Sequence, residues 1–277
     1  MDWEFLAGLL EGFGETLWRV LPITLAMAAA FSLLSWLSPC NAGRPWWEKR
    51  GLLTDIGFWV FVPLFTRYLR IGIAIAVAVY LLGIRGPADV VRFYAHGHGP
   101  LAQLPLWLQG AFYLVGSDFL LYWIHRAFHA TRLWKYHAVH HASEDVEWIS
   151  AWRFHPFNLL LGSVAVDVLF LSIGVSPDIF LVIGPLTTLT SAWVHANLNW
   201  TLGPFKYVFA GPVFHRWHHT SPEGGRERNF AGTFALWDWL FGTFHMPAGR
   251  LPQGYGIGET ATPELGVLSP ASAQSAP

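Results

Sequence analysis

Cysteine is almost missing from this 277-residue chain: Cys40 is the only one. That excludes an intramolecular disulfide and any cysteine cluster for zinc or iron–sulfur. Charge is scarce too, with Asp, Glu, Lys and Arg at 13% of residues, against about 25% in soluble domains. Neither sign is in surplus, and a net charge of −1 gives no basis for nucleic-acid binding. The first 17 residues hold no Lys or Arg. A cleaved signal peptide opens with a basic segment, so the first apolar span is expected to remain in the mature protein. Also absent are His-Glu-x-x-His, a haem-binding His-Pro-Gly-Gly and Gly-x-Gly-x-x-Gly. No repeat of fixed period is visible.

What the chain does have is apolar surface. Residues are 53% hydrophobic, with 16 Trp, 21 Phe and 8 Tyr, and the mean hydropathy is +0.37. Lipid must cover such a surface, and aromatic side chains collect at membrane interfaces. A helical span needs about 17–25 apolar residues. Candidates are 18–38, a run within 52–84, 104–124, 157–174 and 178–194. Arg67 and Arg70 interrupt the second. We read 52–66 as interfacial or re-entrant and 68–84 as the span, with the arginines snorkelling; a helical hairpin is the alternative. The expectation is an all-α integral membrane protein of four to five spans.

Twelve of the 17 Lys and Arg fall in 39–51, 125–156 and 205–250. Five spans put all three segments on one side, the cytoplasm, with the N-terminus outside. The expected organisation is 1–103 as N-terminal membrane helices and loop, 104–250 as the chemical core, and 251–277 as a disordered tail rich in Pro, Gly, Ser, Ala and Thr. A bacterial inner membrane is the expected location.

Any metal here must be held by histidine or carboxylate, and the chain has 13 histidines. His125 and His129 form His-x-x-x-His at the end of the third span. His137, His140 and His141 form His-x-x-His-His, and His215, His218 and His219 repeat the pattern. His155 precedes Pro156, and His195 ends the last span. On a helix, residues three and four apart share a face, so two imidazoles of each triplet point together and the adjacent one turns toward a second metal. His96, His98 and His245 stand outside these boxes and read as surface or structural.

Imidazole suits iron, zinc, copper and nickel. Ten clustered histidines exceed the four ligands of one zinc site, whereas two metals use them well. Metal-bound histidine needs an oxygen partner on its other nitrogen; Asp118, Glu144, Asp145, Glu147 and Asp238 are candidates. Asp118 stands out because it lies inside an apolar span, where an ionisable residue is functional by default; Asp167 is a weaker case of the same kind. Trp148, Trp152 and Trp193 are read as core packing or as walls of a substrate cavity.

The boxes resemble the fatty acid hydroxylase / sterol desaturase superfamily over roughly 112–245. The residues are Asp118-Phe-Leu-Leu-Tyr-Trp-Ile-His125-Arg-Ala-Phe-His129, Trp134-Lys-Tyr-His137-Ala-Val-His140-His141, Arg153-Phe-His155-Pro156, His195-Ala-Asn197-Leu-Asn199, His215-Arg-Trp-His218-His219, and Asn229-Phe230 through Trp237-Asp238. The resemblance implies a dinuclear iron centre in a cytoplasmic cap and O2-dependent oxidation of a lipid C–H bond, by hydroxylation or desaturation of a sterol, hopanoid or acyl chain. Zinc can replace iron in a purified protein. By position, His125, His129, His137, His140, His141, His195, His215, His218 and His219 match the ligands, and His155 matches a His-Pro of the sterol-acting branches. Some branches carry a histidine at the position of Asn199, which is therefore expected beside the metal with Asp118, Glu144 and Asp238.

Electrons must come from an external donor, a separate reductase or electron-transfer protein, since no electron-carrier motif is present; a basic face of Arg216, Arg226 and Arg228 could dock it. The lipid substrate is expected to enter from the bilayer. A zinc-dependent membrane hydrolase and a metal-binding transporter remain as alternatives. Oligomeric state is not legible in the sequence.

Overall fold

The computed structural model describes residues 3–96, 98–130, 132–221 and 224–257. Ten α-helices follow in order among them: α1 Trp3–Leu37, α2 Leu52–Ala76, α3 Pro87–His96, α4 Leu106–Ala130, α5 Trp134–His141, α6 Pro156–Leu159, α7 Ala165–Ser172, α8 Pro177–His195, α9 Pro212–His218 and α10 Leu236–Leu240. A π turn, Val77–Leu81, extends α2, and another, Leu160–Val164, joins α6 to α7. There is no β-strand among the described residues; isolated bridges pair Pro39 with Leu198 and Thr220 with Tyr255.

This is an all-helical integral membrane fold. The stretches Leu10–Leu37, Leu52–Tyr80 and Pro177–His195 are long and apolar enough to cross a bilayer, and Pro156–Ser172 is a shorter apolar helix. Their outward residues are bare hydrocarbon, as with Leu181 (74% exposed) and Ile75 (60%), which only lipid would cover at no cost. Pro22, Pro63 and Pro185 lie inside helices, as membrane helices tolerate when neighbours satisfy the backbone. One residue before Pro63, Val62 O also accepts from the Thr66 hydroxyl at 2.8 Å.

The reading of 52–84 needs correction. Residues 52–76 are one continuous helix, neither a re-entrant piece followed by a span nor a hairpin. Both arginines have partners on neighbouring helices. Arg67 donates to Gly12 O at 2.8 Å and to the Thr16 hydroxyl of α1. Arg70 pairs with Asp167 of α7 at 3.0 Å, and Tyr113 of α4 donates to the same carboxylate at 2.6 Å. Charges matched to polar groups on neighbouring helices need not break an apolar helix.

The turn between α7 and α8 is tied to the loop before α4. Gly174 sits at φ +103°, and a Cβ there would lie 2.0 Å from His98 O, so only glycine fits. Ser176 then caps α8 by accepting from Asp178 N, with Pro177 as the first helical residue.

Two apolar clusters flank the cap. One joins Met27 and Phe31 of α1, Val62 of α2, Ala192 of α8 and the buried turn Trp148–Trp152, with Trp193 packed against it. Trp148, Trp152 and Trp193 are thus core packing. The other gathers Tyr122, Val194, Phe214, Phe230 and Ala235. Residues 251–257, expected to belong to the tail, are packed on the core: Ser221 N donates to Gly254 O at 2.9 Å, and the Tyr255 ring lies 4.8 Å from the Arg216 guanidinium. Residues 258–277 lie outside the described residues.

Asp118, 4% exposed in α4, holds the chain before α10 in place. Its carboxylate accepts from Thr233 N and Phe234 N at 2.9 Å and from Trp237 Nε1 at 3.0 Å. It touches no histidine in these bonds, so its role is to anchor that segment. Asp118→Ala removes the acceptor of three part-buried donors, each worth about 1–3 kcal/mol. We expect a loss of at least about 3 kcal/mol in a denaturant titration in detergent; a loss below about 1 kcal/mol would contradict this reading.

Candidate metal centre

Four elements bring the histidines together. His125 and His129 sit one turn apart at the end of α4. The triplet on α5 follows immediately, His195 ends α8, and the second triplet ends α9. Nine of the ten clustered histidines fall into two groups whose ligand atoms lie within 4.8 Å of one another. The first is His125, His129, His137, His141 and His218; the second is His140, His195, His215 and His219. Each triplet is split. On α5 the i, i+4 pair His137 and His141 joins the first group and His140 the second. On α9 the i, i+4 pair His215 and His219 joins the second and His218 the first. The groups share a wall, where the His141 and His219 rings stack at 4.5 Å.

Oxygen acceptors fix the tautomers. Nδ1 of His125 donates to Phe230 O at 2.6 Å, of His195 to Ser191 O at 2.7 Å, of His218 to Arg228 O at 2.7 Å, and of His140 to Arg153 O at 3.2 Å. His137 donates likewise to Asn158 Oδ1 at 2.7 Å. An oxygen of this kind only accepts, so the proton is on Nδ1 and Nε2 carries a bare lone pair. His125 Nε2 and His137 Nε2 nonetheless face each other at 2.8 Å. In the second group His195 Nε2 lies 3.2, 3.2 and 3.0 Å from Nε2 of His140, His215 and His219. Lone pairs so close repel unless a cation lies between them. Two imidazole nitrogens about 2.1 Å from one metal are about 3.0 Å apart at a right angle, which is the spacing found. Both ring nitrogens of His129 and of His141, and Nε2 of His218, are buried with no hydrogen-bond partner among the described residues. A buried polar atom left so is costly, and a metal would satisfy it. The donor set therefore fits two metal ions held by neutral nitrogen.

Burial and the neighbouring imidazoles hold His137, His140, His141, His215, His218 and His219 far below the usual histidine range, so these rings are uncharged and able to ligate near neutral pH. Among the described residues no carboxylate belongs to either group; Glu227 Oε2 lies 3.5 Å from His129 Nδ1.

The other expected site residues lie elsewhere. His155 is in neither group: its Nδ1 accepts from Phe157 N at 3.0 Å and caps α6, with its ring against Tyr136. Glu144 pairs with Arg50 at 2.6 Å on the surface, and Asp145 accepts from Arg50 N. Glu147 is buried and caps the Trp148–Trp152 turn, where burial raises its carboxyl to about 7. Exposed Asn199 accepts from the Ser38 hydroxyl at 2.5 Å, tying the chain after α8 to the end of α1. Arg216 is interior, 2% exposed, and donates to Val146 O and His195 O, so it offers nothing to a docking face. His98 and His245 join neither group; the His96 side chain lies outside the described residues.

Asp238 does serve the site, one step removed. Fully buried, it accepts from Phe230 N and Ala231 N at 2.8 Å and from the Thr243 hydroxyl, fixing the carbonyl that orients His125. Between Phe230 and Arg228 stands Asn229, in the left-handed region at φ +57°, which asparagine enters more readily than most residues. Its amide donates to Phe214 O and His245 O and accepts from His245 N. One pinned residue thus aims the carbonyls on either side of it at two ligands of the first group. Asn158 has the same office for His137; an amide inside the apolar run 157–174 was its signal. The carbonyls had none.

A family model described as fatty acid hydroxylase matches residues 110–243. Ornithine lipid hydroxylase OlsE of Rhizobium tropici is 31% identical over 256 residues, covering 89% of this chain and 72% of that protein. Human (Homo sapiens) alkylglycerol monooxygenase is 32% identical over 141 residues, 50% of this chain and 31% of its own length. Very-long-chain aldehyde decarbonylase GL1-11 of Oryza sativa subsp. indica is 33% identical over 150 residues, 50% and 55% of the two chains. No solved structure matches significantly.

Two outcomes follow. Asn229→Ala frees both carbonyls; loss of a group that orients a metal-bound histidine costs about 10–100-fold in affinity, and we expect that loss for one of two bound ions, read by competition with a chelator. Unchanged affinity would contradict it. Second, the unfolded chain's histidines take up protons below about pH 6.5, whereas the folded ones resist. The metal-free protein should hold its stability above about pH 6.5 and lose it progressively as pH falls. Melting curves in detergent from pH 8 to pH 5 test this, and a midpoint independent of pH would contradict it.

Proposed function

The chain belongs to the fatty acid hydroxylase family, and on that premise we propose that it is an O2-dependent di-iron lipid hydroxylase of the bacterial inner membrane. The observation that carries the reading is the pair of histidine groups, nine imidazoles gathered around two points. His125, His129, His137, His141 and His218 would hold one iron, and His140, His195, His215 and His219 the other. When bound, such a pair supplies oxidising power enough to place one oxygen atom of O2 in a C–H bond, the other leaving as water with two electrons and two protons from outside.

The protein's own part is orientation and exclusion of water. The carbonyls of Phe230, Arg228, Arg153 and Ser191 and the amide of Asn158 hold the rings still. Phe154 stacks on His140 at 4.5 Å, and Phe230 packs on His125, His129 and His218, keeping the centre dry. Nine ligands in two groups suit a dinuclear oxidase better than a hydrolase built on a single zinc, which uses three protein ligands and a water.

The groups lie at the ends of α4 and α8 that adjoin the basic segments, which supports an active site on the cytoplasmic side. Substrate then comes from the bilayer with its target carbon near that interface. The Rhizobium tropici relative matches along most of this chain, so a polar bacterial membrane lipid of the ornithine-lipid kind is the first substrate to test; hydroxylation is favoured over desaturation on the same ground. Reducing equivalents come from a separate electron-transfer protein.

Lipid analysis of cells with and without the gene tests the proposal. A lipid 16 mass units heavier should appear with the gene and vanish with His140→Ala or His218→Ala, one ligand from each group. The proposal is falsified if either variant reaches the membrane at normal levels and still makes that lipid.

A further inference from the structure

The oxygen acceptors of the first group come from 158 and 228–230. The second group is supported from a different part of the chain. His140 Nδ1 rests on Arg153 O, and Arg153 is gripped by the loop and helix start that precede every histidine box. Its Nε donates to Asp55 in the first turn of α2, and its Nη2 to Gly51 O at 3.1 Å. Gly51 is at φ +72°, and a Cβ there would stand 2.5 Å from Arg153 Nη2, so the contact requires glycine.

Asp55 is 0% exposed and holds more than Arg153. Its second oxygen takes the Lys49 ammonium and accepts from the Ser150 hydroxyl at 3.2 Å. Lys49 in turn donates to Ser143 Oγ at 3.1 Å and Ser150 Oγ at 2.7 Å. One buried carboxylate between two cations therefore joins α2 to both ends of the segment that follows α5. From the other side, Asn41 Oδ1 accepts from Arg216 Nη2 at 2.6 Å, and Arg216 Nη1 donates to His195 O at 3.1 Å.

We propose that Asp55 is a positioning residue for the second metal alone, acting through Arg153 to hold His140. It rests on the dinuclear reading above. With Asp55 neutralised, Lys49 and Arg153 are two buried cations sharing no counter-ion, and that repulsion is relieved by moving Arg153. The carbonyl on which His140 depends moves with it. The first group has no hydrogen bond to residues 39–55, so its metal stays.

The test is anaerobic titration of the full chain in detergent with ferrous iron against a chelator, with metal per chain as readout, for wild type, Asp55→Asn and Asp167→Asn. Asp167, partnered by Arg70 and Tyr113, is a carboxylate of similar kind remote from the histidines in sequence and contacts. Wild type should bind two ions. Asp55→Asn should keep one tightly and bind the other about 10–100-fold more weakly, while Asp167→Asn keeps two. Two tight ions in Asp55→Asn overturn the proposal, and so does parallel weakening of both ions in either carboxylate variant, which marks a role in folding only. If Asp55→Asn cannot be purified, Arg153→Lys, which keeps the charge but loses the fork, is judged by the same criteria. A wild type binding one ion or none brings down the dinuclear reading, whatever Asp55 does.

Discussion

Everything in this molecule depends on keeping a set of imidazoles uncharged, with one nitrogen of each pointing at a common centre. Histidine does neither by itself: in water it titrates near neutrality and its ring turns freely. Burial removes the proton, and oxygen acceptors on Nδ1 choose which nitrogen is left bare. The hydrogen bonds to Phe230 O, Arg228 O, Arg153 O, Ser191 O and Asn158 are therefore as much a part of the centre as the rings. They also explain why so much of the polar interior is invested in backbone. Asp238 and Asn229 bind peptide groups, and they pass their constraint to His125 and His218 through the carbonyls of Phe230 and Arg228.

The membrane setting follows the same economy of charge. Three ionisable groups within the apolar helices are met by partners elsewhere in the fold: Arg67 by α1, Arg70 by Asp167, Asp118 by backbone and indole N–H. These pairs fasten α1, α2, α4 and α7 to one another and to the chain before α10. Arg19 and Glu15, exposed on α1, pair with each other one turn apart instead.

The histidine boxes were legible because helical spacing turns i and i+4 to one face, and the triplets of α5 and α9 obey that rule while splitting between the groups. The helical membrane character was legible from composition, and the ends of α8 fell close to where apolar residues stop. What could not be read were contacts made by backbone atoms, which no residue type advertises, and partners distant in sequence. Arg67 and Arg70 looked like interruptions because α1 and Asp167 were invisible to a local window. Glu144 and Asn199 sit at suggestive positions yet face Arg50 and Ser38, and His155 turned to cap its own helix. Asp55, at the start of an apolar run with no motif around it, gave no sign of its place beneath Arg153.

X-ray absorption at the iron edge, on protein loaded anaerobically in lipid nanodiscs, addresses the central claim most directly. The account predicts a nitrogen shell near about 2.1 Å with strong imidazole scattering and an iron–iron vector, and no sulfur. A spectrum of one isolated iron, or one whose ligands are mainly carboxylate oxygen, would contradict it.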